Sequence, residues 1–278
     1  MNNIEKITKT PFYEIATNLD FFARWDTIVR TDKLPKGNKI TLLPHEELLS
    51  NVQNILNGIV SSFSYMRLSV LQVQRRYNSK CFMASGYKEY DVYRYHYFVF
   101  CHGVSTIHDL LFKLVVEVCG FQMSDRMIQW KELRKQLEAI GESRIISLLE
   151  NFYAIIKDHE KKRNDVSHEG LLSLRLLDNY YSTYVWTNAH RNSIENSRPE
   201  YTEGTKENKY LLGKTKKAFI AELNALTDKV ANETMTLFDL LLPKLIAKMD
   251  SDFINSHRQH FEEKNIKIIK DYVLKSYS

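Results

Sequence analysis

Arg163 and His168, in the run Arg163-Asn164-Asp165-Val166-Ser167-His168, are the residues whose types and spacing point most directly to chemistry. A guanidinium stays charged at every physiological pH and grips a phosphate through two parallel hydrogen bonds. An imidazole, with an ordinary pKa of ~6.5, takes up or gives up a proton near neutrality. Asn164 adds an amide able to orient either the imidazole or a phosphate. No other Arg–His pair in the chain has this spacing. Lys161 and Lys162, immediately upstream, extend the positive charge and are suited to a phosphate backbone.

The spacing constrains the elements that must position the pair. On one uninterrupted α-helix, residues five apart differ by about 140° around the axis, so Arg163 and His168 would not share a face. Either the helix ends between them or the two act in different subunits. The local sequence favours an end. Lys161, Lys162 and Arg163 crowd a turn where cations complement a helix C-terminus. Asn164 and Asp165 are weak helix-interior residues, Gly170 follows, and Asp165 can cap a new turn carrying His168.

Other polar constellations carry less. His45-Glu46 lacks the second histidine of a zinc-binding H-E-x-x-H helix. His96, His102 and His108 are six residues apart, a spacing that drifts around a helix and does not suit metal ligation. His108 and Asp109 are expected to approach the Arg163–His168 motif as supporting polar groups. Phosphate-binding glycine loops, dinucleotide fingerprints and nucleophile elbows are all lacking in the sequence. No metal and no cofactor is expected. Arg75-Arg76, Lys157/Lys161/Lys162 and Lys214/Lys216/Lys217 are basic clusters able to track a polyanion, although each also suits a solvated helix face. Tyr87, Tyr90, Tyr93, Tyr95 and Tyr97 read as core and interface packing, with base stacking as the alternative.

The hydrophobic pattern supplies the scaffold. Leu48, Val52, Ile55, Ile59, Phe63, Met66, Val70 and Val73 recur at three- and four-residue steps, predicting a helix from Pro44 to about Tyr77-Asn78. A second, apolar almost all round, runs from about Lys88 to Cys119 and is closed by Gly120. A third region covers roughly Trp130–Lys162 with a break at Gly141 and Ser143. A last long helix spans about Lys214–Met249, with Pro243 as a kink or junction. Leu171–Leu177, Asp178-Asn179 and Tyr180–Trp186 suit a small β-hairpin, with a continued helix as the alternative, and Asn188–Asn208 reads as an exposed loop. Residues 1–43 form an appendage with one or two short helices, and a terminal helix at about 264–275 closes the chain. The expectation is all-α: a single domain built as an up-and-down bundle of about four long helices, with its core in 44–250 and a helical tail in 251–278.

Composition agrees. Of 278 residues, 44% are hydrophobic and 26% charged, and 9 glycines with 5 prolines are too few for a turn-rich β-protein. The net charge of +5 is compatible with a polyanionic partner. Cys81, Cys101 and Cys119, odd in number and far apart, suit reduced cysteines rather than disulfides or zinc ligands. Met1-Asn2-Asn3-Ile4-Glu5-Lys6 is unlike a signal peptide, and no run of 18 apolar residues occurs, so a cytoplasmic protein without a membrane span is expected.

A helical protein carrying R-x-x-x-x-H, with asparagine after the arginine, ahead of its last bundle helix resembles the HEPN superfamily. The likeness is specific at 163–168, loose across 44–250, and leaves residues 1–43 without a counterpart. It implies a metal-independent endoribonuclease in which Arg163 binds the scissile phosphate and His168 is the acid or base. It also implies a homodimer, because two motifs usually meet across an interface. RNA as substrate, a role in a toxin–antitoxin or phage- and stress-defence system, and control by a cognate antitoxin or inhibitor follow from the same likeness. Some members of the superfamily bind RNA, nucleotide or protein without cleaving.

Overall fold

The computed structural model describes residues 2–32, 41–75, 89–123, 128–169, 201–249 and 251–257, with single positions at 178, 182, 185, 265 and 268. These residues form eight helices and no strand: α1 (Asn3–Thr8), α2 (Pro11–Asp32), α3 (Pro44–Gln74), α4 (Glu89–Cys119), α5 (Trp130–Ala139), α6 (Ser143–Glu169), α7 (Tyr201–Ala247) and α8 (Ser251–His257). The protein is all-α.

The helix boundaries follow local chemistry. Asn2 caps α1 by accepting from the Glu5 amide at 3.0 Å. α2 and α3 both open on proline, whose missing N–H would have had no intrahelical partner there. α4 stops at Gly120, which adopts φ +74°, and the Phe121 amide closes back on the Val116 carbonyl at 3.0 Å. α5 ends the same way: Gly141 has φ +76°, and the Glu142 amide reaches the Leu137 carbonyl at 2.9 Å.

Two expectations change. The N-terminal appendage is not made of short helices alone, since α2 has 22 residues. The last long helix starts at Tyr201 rather than near Lys214, so the second part of the expected loop is helical. Polarity misled there: glutamate and lysine are strong helix formers whether or not they are buried. That helix runs on through Pro243, so of the two readings given to this proline the junction falls and the kink stands. Of the candidate hairpin only Asp178, Ser182 and Val185 are described, and all three are helical. Of the expected terminal helix, Asn265 and Ile268 are described and helical, the rest lying outside the described residues.

The chain divides into two compact units. The first comprises 1–63, 106–154 and 230–278, the second 64–105 and 155–229. In the first, Phe12 packs on Phe238 with ring centroids 4.9 Å apart. Its α2 and α3 are joined by the buried Glu46 carboxylate, which accepts from the Leu43 amide at 2.7 Å, from Thr27 Oγ1 at 2.9 Å and from Arg30. In the second, Met66, Val70 and Val73 of α3, Phe100 and Val104 of α4, Ile156 of α6 and Leu223 of α7 are buried. There the Lys216 ammonium donates to the Arg75 carbonyl at 3.0 Å and to the Tyr93 hydroxyl, closing the C-terminal end of α3. Among the described residues one segment, Tyr90–Cys119, is long and apolar enough to cross a membrane, but 67% of its apolar window is buried inside the protein, as in a core helix.

Candidate functional site

The helix α6 does not end between Arg163 and His168. Its backbone runs unbroken to Glu169, so the expected break inside the motif is overturned. Weak propensities at Asn164 and Asp165, a few tenths of a kcal/mol each, do not stop a helix already propagating. The described helix extends to Glu169.

Continuity fixes the register of the motif. Ile145, Leu149, Phe152, Ile156 and His159 are buried and follow one another at alternating four- and three-residue steps. Arg163, half-buried, is the next member of that inward row. His168 lies about 140° away, in register with Lys157, Lys161 and Asn164, all exposed. The motif arginine therefore belongs to the inner row of α6, and the backbone position of the motif histidine is about 140° from it. The side chain of His168 lies outside the described residues.

Asn164 serves Arg163 directly. Its Oδ1 accepts from Arg163 Nε at 3.2 Å and from Nη2 at 3.0 Å, which steadies the plane of the guanidinium. The two upstream lysines separate. Lys161 is exposed on the outer row, whereas Lys162 is half-buried and its charge acts on His159 and Cys101.

Beneath Arg163 lies a buried polar seam that the sequence reading did not single out. His159, one turn before Arg163, has its Nδ1 2.8 Å from the Tyr97 hydroxyl. Tyr97 in turn hydrogen-bonds Cys101, one turn further along α4. Phe219 of α7 closes over Tyr97 at 5.7 Å between centroids. Burial, with the Lys162 charge as the second cause, pulls the His159 imidazole down to about 4, so it is neutral at physiological pH. Burial also pushes the Tyr97 phenol well above its ordinary range. It pushes the Cys101 thiol up to about 12, against the opposing pull of Tyr97, Lys162 and Arg163. All three groups are uncharged near pH 7. The available sequence signal was the inward row itself, which reaches Arg163 through His159.

The other candidates fall elsewhere. His108 and Asp109 belong to the first unit, where the His108 ring lies among Phe112, Phe152 and Tyr153 at 4.3, 5.8 and 5.8 Å. Asp109 is exposed, with its Oδ1 4.0 Å from His108 Nδ1. Cys101 and Cys119 are free thiols, and Cys81 lies outside the described residues. Among the described residues no group of three or more His, Cys, Asp or Glu is placed to hold a metal ion. Of the tyrosine stretch, Tyr90, Tyr93 and Tyr97 are buried and Tyr95 is exposed, while Tyr87 is outside the described set.

Charge divides between the units as well. The sequence of the second unit carries 19 Lys and Arg against 13 Asp and Glu, that of the first 20 against 21. The positive excess of the chain thus belongs to the unit that contains Arg163 and His168. Comparison with protein-family models, curated proteins and solved structures gives no match to this chain.

Proposed function

We propose that the chain is an HEPN-like, metal-independent endoribonuclease acting in the cytoplasm as a toxin or a phage- or stress-defence effector held in check by a cognate inhibitor. The observation that carries this reading is the place of Arg163-x4-His168: the last turns of a long helix in an all-α protein, within the basic unit. Arg163 neutralises the scissile phosphate. The ribose 2′-oxygen attacks phosphorus, the bond to the 5′-oxygen breaks, and a 2′,3′-cyclic phosphate and a 5′-hydroxyl result. His168 takes the proton of the 2′-hydroxyl or gives one to the departing 5′-oxygen.

The register of α6 bears on how the two meet. Side chains on rows about 140° apart cannot converge on one phosphate from a single helix. Arg163 of one copy and His168 of a second copy meet this requirement, which makes the acting species a homodimer. A non-catalytic module that binds RNA, nucleotide or a protein partner is favoured by the same divergence if the chain is monomeric.

Incubation of the protein with structured and single-stranded RNA in EDTA, beside His168→Ala, separates the readings. Loss of a general acid–base histidine slows cleavage by at least ~10²-fold. Cyclic-phosphate ends that vanish in the variant, from a protein with the molar mass of a dimer, support the nuclease. RNA binding without turnover supports the binding module, and equal cleavage by both proteins sinks the role given to His168.

A further inference from the structure

The inward row of α6 is apolar at Ile145, Leu149, Phe152 and Ile156 and becomes polar only at His159, the turn that precedes Arg163. A buried hydroxyl and a buried imidazole each cost free energy unless they satisfy one another, and an apolar pair of the same shape would pack without that cost. Apolar contacts tolerate small rotations of a helix about its axis. A hydrogen bond of 2.8 Å between α4 and α6 is directional and tolerates them less. The pair sits close to the motif in electrostatic terms too, since Cys101, hydrogen-bonded to Tyr97, lies within the field of Lys162 and Arg163. Phe219 fixes the tyrosine ring from the side of α7.

We propose that Tyr97 and His159 are positioning residues for Arg163: their buried hydrogen bond sets the rotation of α6 against α4, and so the direction in which Arg163 leaves the helix. Neither residue touches the substrate. The bond acts through Arg163 and, five residues on, through the register of His168. The inference rests on the reading of Arg163 as a phosphate-binding residue.

The test compares Tyr97→Phe, His159→Leu and the double variant with wild type. Tyr97→Phe leaves the buried His159 imidazole without its partner, His159→Leu removes one of the two partners of the Tyr97 hydroxyl, and each lowers Tm. The double removes both polar groups and recovers Tm to within a few degrees of wild type, because a matched apolar pair replaces a matched polar one. Cleavage does not recover with it. In the double, kcat stays at least ~10-fold down while KM stays within about twofold, as for a misaligned reactive group. A double variant that regains both Tm and kcat overturns the proposal, since the pair would then be packing alone. A Tyr97→Phe enzyme with wild-type kcat overturns it equally.

Failure of the nuclease reading shows separately. If wild-type protein does not cleave, or His168→Ala cleaves equally, the positioning role is read from anisotropy of a labelled single-stranded RNA. The double variant then matches the affinity loss of Arg163→Ala. Wild-type affinity in the double, or wild-type binding that does not depend on Arg163, overturns the proposal.

Discussion

His108 in the first unit and His159 in the second are both buried, at 6% and 8% exposure, yet their surroundings differ in kind. Aromatic rings surround His108, and its ring is nearly parallel to that of Phe152, with an interplanar angle of 8°. His159 is held through Nδ1 by a tyrosine hydroxyl, and the neighbouring charge of Lys162 adds to burial in keeping it neutral. In the first unit the buried Glu46 carboxylate joins α2 to α3. The second places His159, bonded to Tyr97, one turn before Arg163, and carries the positive excess. Burial alone does not distinguish the two histidines; the chemical nature of their partners does.

The largest expected effects break this comparison along its main line. Arg163→Ala and His168→Ala each lower RNA cleavage by ~10²-fold or more while circular dichroism stays helical. His108→Leu keeps an apolar body among the same rings and changes kcat by less than about threefold. Steady-state cleavage of a short labelled RNA decides the matter. A His108 variant as inactive as His168→Ala would place His108 in the active machinery and erase the distinction between the two units.

The sequence made this scaffold legible where signals were local. The spacing of Leu48 through Val73 marks α3, and Gly120 and Gly141 mark two helix ends where φ is positive. Local signals misled at the motif, where the cations and the Asn164-Asp165 pair suggest a stop but α6 continues to Glu169. Helix propagation, one hydrogen bond per added residue, outweighs small propensity deficits. The Tyr97–His159 bond was not legible, because its partners are 62 residues apart. Periodicity identifies the inward face of each helix, but not which tyrosine on one meets which histidine on another.

Next in size is the junction of the first unit. Glu46→Gln removes one acceptor oxygen from a site that receives the Leu43 amide, Thr27 and Arg30, and should cost about 1–3 kcal/mol in denaturant unfolding at pH 7. Burial alone would raise the Glu46 carboxyl, but these donors outweigh it and hold the pKa below its ordinary value. A depressed folded-state pKa stabilises above the unfolded-state value, and that contribution is lost as pH falls through the folded value. The gap between wild type and Glu46→Gln is therefore full at neutral pH and narrows only in acid, below the ordinary carboxylate range. Specific cleavage by the folded variant stays at the wild-type level. A fall in kcat at unchanged stability would contradict a purely structural junction.

Smaller still are the two glycine ends. Alanine at Gly141 meets nothing within 4 Å, so its cost is that of a side chain at positive φ alone, about 1 kcal/mol. Alanine at Gly120 adds a clash, its Cβ falling 2.2 Å from Lys248 Nζ. Because a lysine tip moves readily, Gly120→Ala should exceed Gly141→Ala only modestly in chemical denaturation. Equal wild-type stability for both variants would show that neither end requires the left-handed conformation.

The smallest expected effect sharpens the distinction within the basic unit itself. Lys161 is exposed in the register of His168, whereas Lys162 is half-buried and turned electrostatically toward His159 and Cys101. A lysine that meets a phosphate of single-stranded RNA releases about 0.7 of a counterion, so its loss costs about fourfold in affinity at 0.15 M salt. Lys161→Ala should therefore weaken binding by that factor and flatten the dependence of log K on log salt by about 0.7. Lys162→Ala, which leaves the outer row intact, should change the salt slope less. Its distinctive mark is at His159, where removal of a neighbouring positive charge lets the imidazole pKa rise from about 4, visible in the ring proton resonances. If Lys162→Ala flattens the slope as much as Lys161→Ala, both lysines face the polyanion, and the division of α6 into an inner and an outer row fails at that turn.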